Sequence, residues 1–138
     1  MIANIYDQLR RDEGVRSTMY RDELGNATVG VGHNLSTPMS DRAIQALPED
    51  DVAAADKALA AALPWTTSSL DAVRYGALLN LTFNVGSVGV LGFQRMLRAL
   101  EAGDWTTAAA ELLNSRSARQ VGDRAQRLST QLQTGVWQ

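Results

Sequence analysis

The sequence contains no cysteine. Its stability therefore owes nothing to disulfides, and it has no parts for a thiol redox site or a cysteine–zinc site. Histidine occurs once, as His33, so a histidine metal cluster and a serine–histidine triad both lack support. No metal and no cofactor is expected. Lysine is equally scarce: of the 13 basic residues only Lys57 is lysine. The others are arginines, whose planar fork holds carboxylate or sugar oxygens in a fixed geometry. No apolar run approaches the roughly 20 residues a membrane span needs. The most alanine-rich stretch, residues 52–63, is short and carries Asp56 and Lys57, so no membrane insertion is expected. The first residues lack the basic start, apolar run and small-residue cleavage site of a secretory signal. The product is thus expected to be made in the cytoplasm, with delivery across the inner membrane left to another agent. A formal net charge of -2 gives no global basic field for nucleic acid.

What is present is ordinary for a compact protein: 138 residues, 45% apolar and 20% charged, enough for one domain with a core. Four arginines late in the chain, Arg116, Arg119, Arg124 and Arg127, form either a locally positive surface or a solvated helix face. Ile2, Ile5, Tyr6 and Leu9 recur at helical spacing, predicting a short amphipathic helix that ends near Glu13 and is stopped by Gly14. Residues 16–35 change character. The turn-like Glu23-Leu24-Gly25-Asn26 followed by Thr28-Val29-Gly30-Val31-Gly32 predicts a small β-hairpin or meander. The glycines of its second strand imply close approach of the backbone to a helix or a ligand.

From Pro38 onward the pattern is helical. A short helix is predicted over residues 41–47. Pro48-Glu49-Asp50-Asp51 then reads as a fresh helix start, with proline in the first turn and acids at the positive pole. That helix, about 49–63, carries Val52, Ala55, Leu59 and Leu63 on one side, as either a connector between lobes of about 1–50 and 64–138 or a core helix. Ser68-Ser69-Leu70-Asp71 resembles a capping box opening the next helix. Glycines at 86, 89 and 92 divide the chain into shorter pieces, Gly103-Asp104 closes one helix and caps the next, and a last helix spans about 123–132. The fold class is α+β: a small N-terminal sheet followed by a helical body, 1–138 forming a single domain.

Glu13 stands out among many acids because it falls at the C-terminal end of the first helix. The negative pole of the helix dipole disfavours its charge there, and with partial burial this suits a proton donor. Asp22, nine residues on, lies where a hairpin strand would return towards that helix end. Glycosidic hydrolysis needs two carboxyl groups flanking the bond; composition and spacing alone do not establish this pairing.

The run Arg11-Asp12-Glu13-Gly14-Val15-Arg16, then Tyr20-Arg21-Asp22 and Thr28-Val29-Gly30-Val31-Gly32-His33, closely resembles the catalytic segment of phage lysozymes of the T-even type. Phe83-Asn84-Val85-Gly86, Gly89-Val90-Leu91-Gly92-Phe93, Asp123-Arg124-Ala125-Gln126-Arg127 and Thr134-Gly135-Val136-Trp137 are similar to the same family, so the resemblance covers most of the chain. It implies a lysozyme-like fold with two lobes joined by a long helix. It further implies a muramidase or endolysin that cuts the β-1,4 bond between N-acetylmuramic acid and N-acetylglucosamine with inversion. Glu13 would be the general acid, Asp22 the group that activates water, and Thr28 its helper. Asn84, Phe83, Gly32 and Arg124 are implied as substrate-binding, with Asn80 also on the cleft wall. The Arg124 charge would pull the Glu13 pKa down, against the helix-end effect. His33 is implied to pair structurally with Asp51, and Trp105 and Trp137 to be core.

The implied partner is the peptidoglycan glycan strand, attacked by a monomer released through a holin pore to reach the periplasm. Three other readings stay open: a lytic transglycosylase, which needs no catalytic water, a non-catalytic wall-binding module, and a structural or interaction protein built on a helical bundle. The chain departs from the family in residues 34–50, a segment short enough to trim one wall of the cleft, and in its choices at Glu23, Leu24, Asn26 and Ala27.

Overall fold

The computed structural model describes residues 4–138; Ile2, the first member of the predicted helical stripe, lies outside them. The first helix, α1 (Ile5–Glu13), is capped by Asn4, whose side chain accepts from the Asp7 backbone N–H at 3.0 Å. It ends where the sequence places its stop. Gly14 has φ of 74° and returns its N–H to the Arg10 carbonyl at 3.0 Å, a closure that an L side chain would strain.

Three strands follow in an antiparallel meander, β1 (Arg16–Arg21), β2 (Ala27–Gly30) and β3 (His33–Asn34), in spatial order 1-2-3. Tyr20 pairs with Thr28 and Arg21 with Ala27, while Val29 pairs with His33. This is the predicted small sheet. With the helices that follow, it makes the fold α+β, as the sequence leads one to expect.

Contacts divide the chain into two compact units, Met1–Ala46 and Leu47–Gln138. The boundary falls inside α2 (Asp41–Ala62), a 22-residue helix. Here the structure corrects the sequence reading, because Pro48 opens no new helix and lies within this continuous one. Proline there lacks the N–H that would bond the Ile44 carbonyl and its ring crowds that same carbonyl, yet the helix runs on to Ala62.

The second unit also contains α3 (Thr66–Ser69), α4 (Ala72–Leu91), α5 (Gln94–Glu101), α6 (Trp105–Asn114), α7 (Arg116–Val121) and α8 (Asp123–Thr134). The cap of α4 is Asp71, whose carboxylate accepts from the Val73 and Arg74 N–H groups. It is not Ser68, which lies in α3 and donates to the Trp65 carbonyl. Among the three late glycines, Gly86 breaks α4 with a non-helical backbone. Gly92 caps its end.

Leu78, Leu81, Met96, Leu100, Leu112 and Leu132 are fully buried and make one core with Leu59 of α2. α6 packs against α5 and α8, and α8 against α4. Buried polar groups in this body are paired: Ser129 Oγ donates to the Ala109 carbonyl at 3.0 Å, and Gln131 Nε2 to the Val73 carbonyl at 2.8 Å. Such pairing offsets the cost of removing these groups from water.

Candidate active site

The three residues expected to do chemistry, Glu13, Asp22 and Thr28, all belong to the first unit. Glu13 is the last residue of α1 and is exposed rather than partly buried. Its side chain rests on Gly32 in the turn between β2 and β3. A Cβ added to Gly32 would lie 2.9 Å from Glu13 Oε2 and 3.1 Å from its Cγ. The close backbone approach expected from the strand glycines is therefore made at Gly32, and what approaches is the carboxylate at the helix end. Gly30, by contrast, has nothing within 4 Å of such a Cβ.

Gly32 also has φ of 66°. Gly32→Ala thus meets two penalties, a left-handed backbone costing roughly 1–2 kcal/mol and a collision with Glu13. We expect this variant to be less stable by at least that amount in urea unfolding, and to lose turnover more than the stability loss explains. Wild-type turnover in a folded Gly32→Ala would show that the Glu13 position is unimportant.

Asp22 sits at the end of β1, where the chain turns. Its Oδ1 accepts from the Leu24 N–H at 2.9 Å and the Asn26 N–H at 2.7 Å, and its Oδ2 accepts from Asn26 Nδ2 at 3.1 Å. These bonds hold the Asp22 pKa below the ordinary carboxylate value, the Asn26 backbone N–H contributing most and the Asn26 side chain next. Hydrogen bonds that favour the charged form outweigh the opposing effect of burial. The turn is closed by Asp22 N–H to the Asn26 carbonyl at 3.0 Å and by Arg21 Nη1 to the Gly25 carbonyl at 2.8 Å.

Thr28 is only 3% exposed, so its hydroxyl requires a partner. It donates to the Asn26 carbonyl at 2.9 Å. Asn26 thus touches both Asp22 and Thr28, and the sequence reading assigned it no role. The available signal was an aspartate four residues before an asparagine in a glycine-bearing turn, where both side chains favour bonds to nearby backbone.

His33, on β3, is half-buried, and its Nε2 has no hydrogen-bond partner among the described residues. Its expected partner Asp51 lies in the second unit, lining a depression of about 320 Å³ with Ala55, Thr82, Phe83 and Ser87. Phe83 is 53% exposed, a surface residue rather than core. It shares a second depression of about 300 Å³ with Asn80, Leu79, Arg124 and Trp137. Asn84 is exposed and lines neither of these. Trp137 corrects the sequence reading. It is 63% exposed, with its ring laid on Gly76, where an added Cβ would stand 2.3 Å from Cη2. Trp105 does pack against the core, beneath the Arg74 guanidinium. Among the described residues no cluster of three histidine, cysteine or carboxylate side chains could hold a metal.

One carboxyl at an exposed helix end and a second held ionised on a hairpin turn are the parts of an acid–base glycoside hydrolase. Residues 10–131 match the family described as phage lysozyme, and the chain belongs to that family. Among its relatives, probable T4-type lysozyme 1 of Dictyostelium discoideum is 30% identical across 99% of this chain and 97% of its own length. The endolysin of Acyrthosiphon pisum secondary endosymbiont phage 1 is 27% identical across 84% of this chain and 80% of its own. The pre-baseplate central spike protein Gp5 of Enterobacteria phage T4 is 29% identical over 94% of this chain, which covers 27% of that protein. The protein is accordingly a lysozyme, a glycoside hydrolase of the bacterial cell wall with peptidoglycan as substrate.

Proposed function

We propose that this lysozyme is an endolysin that hydrolyses the β-1,4 bond between N-acetylmuramic acid and N-acetylglucosamine with inversion, with Glu13 as general acid and Asp22 as base. The observation that carries this reading is the contrast between the two carboxyls. Asp22 receives three N–H donors and is held charged, the state in which a base accepts a proton. Glu13 is exposed at the negative pole of α1 and accepts none of these bonds.

Glu13 protonates the glycosidic oxygen as the bond to the anomeric carbon breaks. Asp22 takes a proton from water as that water attacks the opposite face, and Thr28 holds the same water. Inverting enzymes leave room for this water by keeping their carboxyls roughly 6.5–9.5 Å apart. The family resemblance assigns Phe83, Asn84, Gly32 and Arg124 to binding of the glycan or its peptide.

The host-lysis role rests on the phage endolysin among the relatives. In that role the chain is a monomer, made in the host cytoplasm, released through a holin pore without inserting into the membrane, and active in the periplasm.

Digestion of purified peptidoglycan tests the chemistry. Mass analysis of the products is expected to show reducing muramic-acid ends, and NMR to show the inverted anomer first. Anhydro-sugar ends would instead identify a lytic transglycosylase. Initial retention would remove the single-displacement mechanism.

A further inference from the structure

Among the described residues of the first unit, Asn26 is bonded to both residues assigned to the water. Its backbone N–H and side-chain Nδ2 reach the two different oxygens of Asp22, at 2.7 and 3.1 Å. Its carbonyl accepts the Asp22 N–H at 3.0 Å and the Thr28 hydroxyl at 2.9 Å. One residue therefore fixes the plane of the carboxylate and the direction of the hydroxyl proton.

An ionised carboxylate has about four acceptor sites, two on each oxygen. On Asp22 Oδ1 both are filled, by the Leu24 and Asn26 N–H groups, and on Oδ2 one is filled by Asn26 Nδ2. The single remaining site is on Oδ2. Thr28 is restricted in a complementary way. Its own proton is committed to the Asn26 carbonyl, so towards a water it can only accept.

We propose that Asn26 is a positioning residue for the hydrolytic water, directing one water proton to Asp22 Oδ2 and the other to Thr28 Oγ1. A water that donates both protons in this way has its lone pairs facing away from the two acceptors, where the anomeric carbon must lie for attack. Proton balance is simple: the proton given to Oδ2 leaves the water as its oxygen bonds carbon, and the acid supplies the proton taken by the departing sugar. The proposal rests on the assignment of Asp22 as base, and these four hydrogen bonds of Asn26 run to Asp22 and Thr28.

The test uses Asn26→Ala and Asn26→Asp, with Asp22→Asn measured in parallel. Asn26 has no positive φ, so neither change at this position strains the backbone, and aspartate is itself a favoured turn residue. A turn-forming role alone would therefore tolerate Asn26→Asp. We expect kcat on solubilised glycan strands to fall roughly 10- to 100-fold in both variants, the scale of a misplaced reacting group, with KM nearly unchanged and melting temperature close to wild type.

The acid limb of the pH–rate profile should also move to higher pH in Asn26→Ala, because one donor favouring the ionised Asp22 is gone, and further in Asn26→Asp. The other titratable groups on the meander and its turns are Arg16, Tyr20, Arg21, Glu23 and His33, with Glu13 at the end of α1, and all are retained in these variants. The lowered Asp22 pKa has hydrogen bonds as its causes, not these charges. Wild-type kcat and pH profile in Asn26→Asp, with Asp22→Asn inactive, would overturn the positioning role and leave the base assignment standing. An active Asp22→Asn would overturn both.

Discussion

Glu13→Gln is expected to lower turnover on peptidoglycan by roughly 10²–10⁴-fold, the usual range for loss of a positioned general acid, while melting temperature stays at the wild-type value. Glutamine has the shape of glutamate, so it still fits over Gly32, where the clearance for an extra atom is only 2.9 Å. Glu13 is exposed and forms neither of the ion pairs described at Arg11–Asp12 and Arg74–Asp71, so the substitution costs the sheet no buried charge pair. What glutamine lacks is a proton to give. Turbidity loss of cell-wall suspensions, together with a thermal melt, checks both halves of the expectation. Retained lysis would take Glu13 out of the mechanism. Unlike Gly32→Ala, which moves the carboxyl, this change alters its chemistry and leaves its position intact.

The largest effect on stability is expected at Arg74. Its Nε donates to the Leu132 carbonyl at 2.7 Å, its Nη2 to the Gln133 carbonyl at 3.0 Å and its Nη1 to Asp71 Oδ2 at 2.6 Å, while the guanidinium lies 4.3 Å from the Trp105 ring centre. One side chain thus satisfies two carbonyls at the end of α8, braces the cap of α4 and covers an aromatic of α6. Hydrogen bonds to charged groups contribute about 1.5–3 kcal/mol each, less at the exposed Asp71 and Gln133 partners than at Leu132.

Arg74→Ala should therefore lose about 3 kcal/mol or more, measured by urea unfolding. Arg74→Lys should restore little of it, since an ammonium cannot reproduce the fork. Full stability in Arg74→Lys would show that charge alone suffices. Part of this contribution depends on pH. Burial acts to raise the Asp71 pKa, but the Arg74 backbone N–H, side-chain bond and charge outweigh it and bring the pKa below its ordinary value. The Asp71 contribution is complete above the ordinary carboxylate pKa of about 3.9 and is lost as pH falls through the lower folded value.

Features that depend on neighbours in the chain were legible. The stop at Gly14, the meander over residues 16–35 and the cap at Asp104 each follow from a few adjacent residues. Features that depend on competition between local signals were less so. Serine and aspartate both favour helix starts, and only the folded chain decides that Asp71 caps α4 while Ser68 bonds back within α3. Proline favours a first turn, yet Pro48 is carried inside α2.

The family resemblance implies a core Trp137, but it falls beyond the last helix, with Gly76 as its support. At the candidate site the two carboxyls were legible by position and resemblance. Asn26 was not: its spacing from Asp22 in a glycine-bearing turn signals local side-chain bonding, but not the four hydrogen bonds that join it to both Asp22 and Thr28. Two of these run through its backbone carbonyl, a group every residue possesses.

The meander has a kinetic consequence. Glu13, Asp22, Asn26, Thr28 and Gly32 lie within one short stretch of chain, joined by a helix end and tight turns. Chain entropy lost on closing a loop grows only with the logarithm of its length, and contacts between near neighbours in sequence form early and quickly. The residues proposed as acid, base and water-holding turn therefore sit at the low-contact-order end of the molecule. In the helical body, by contrast, the Arg74 bond to the Leu132 carbonyl joins residues 58 apart in the chain.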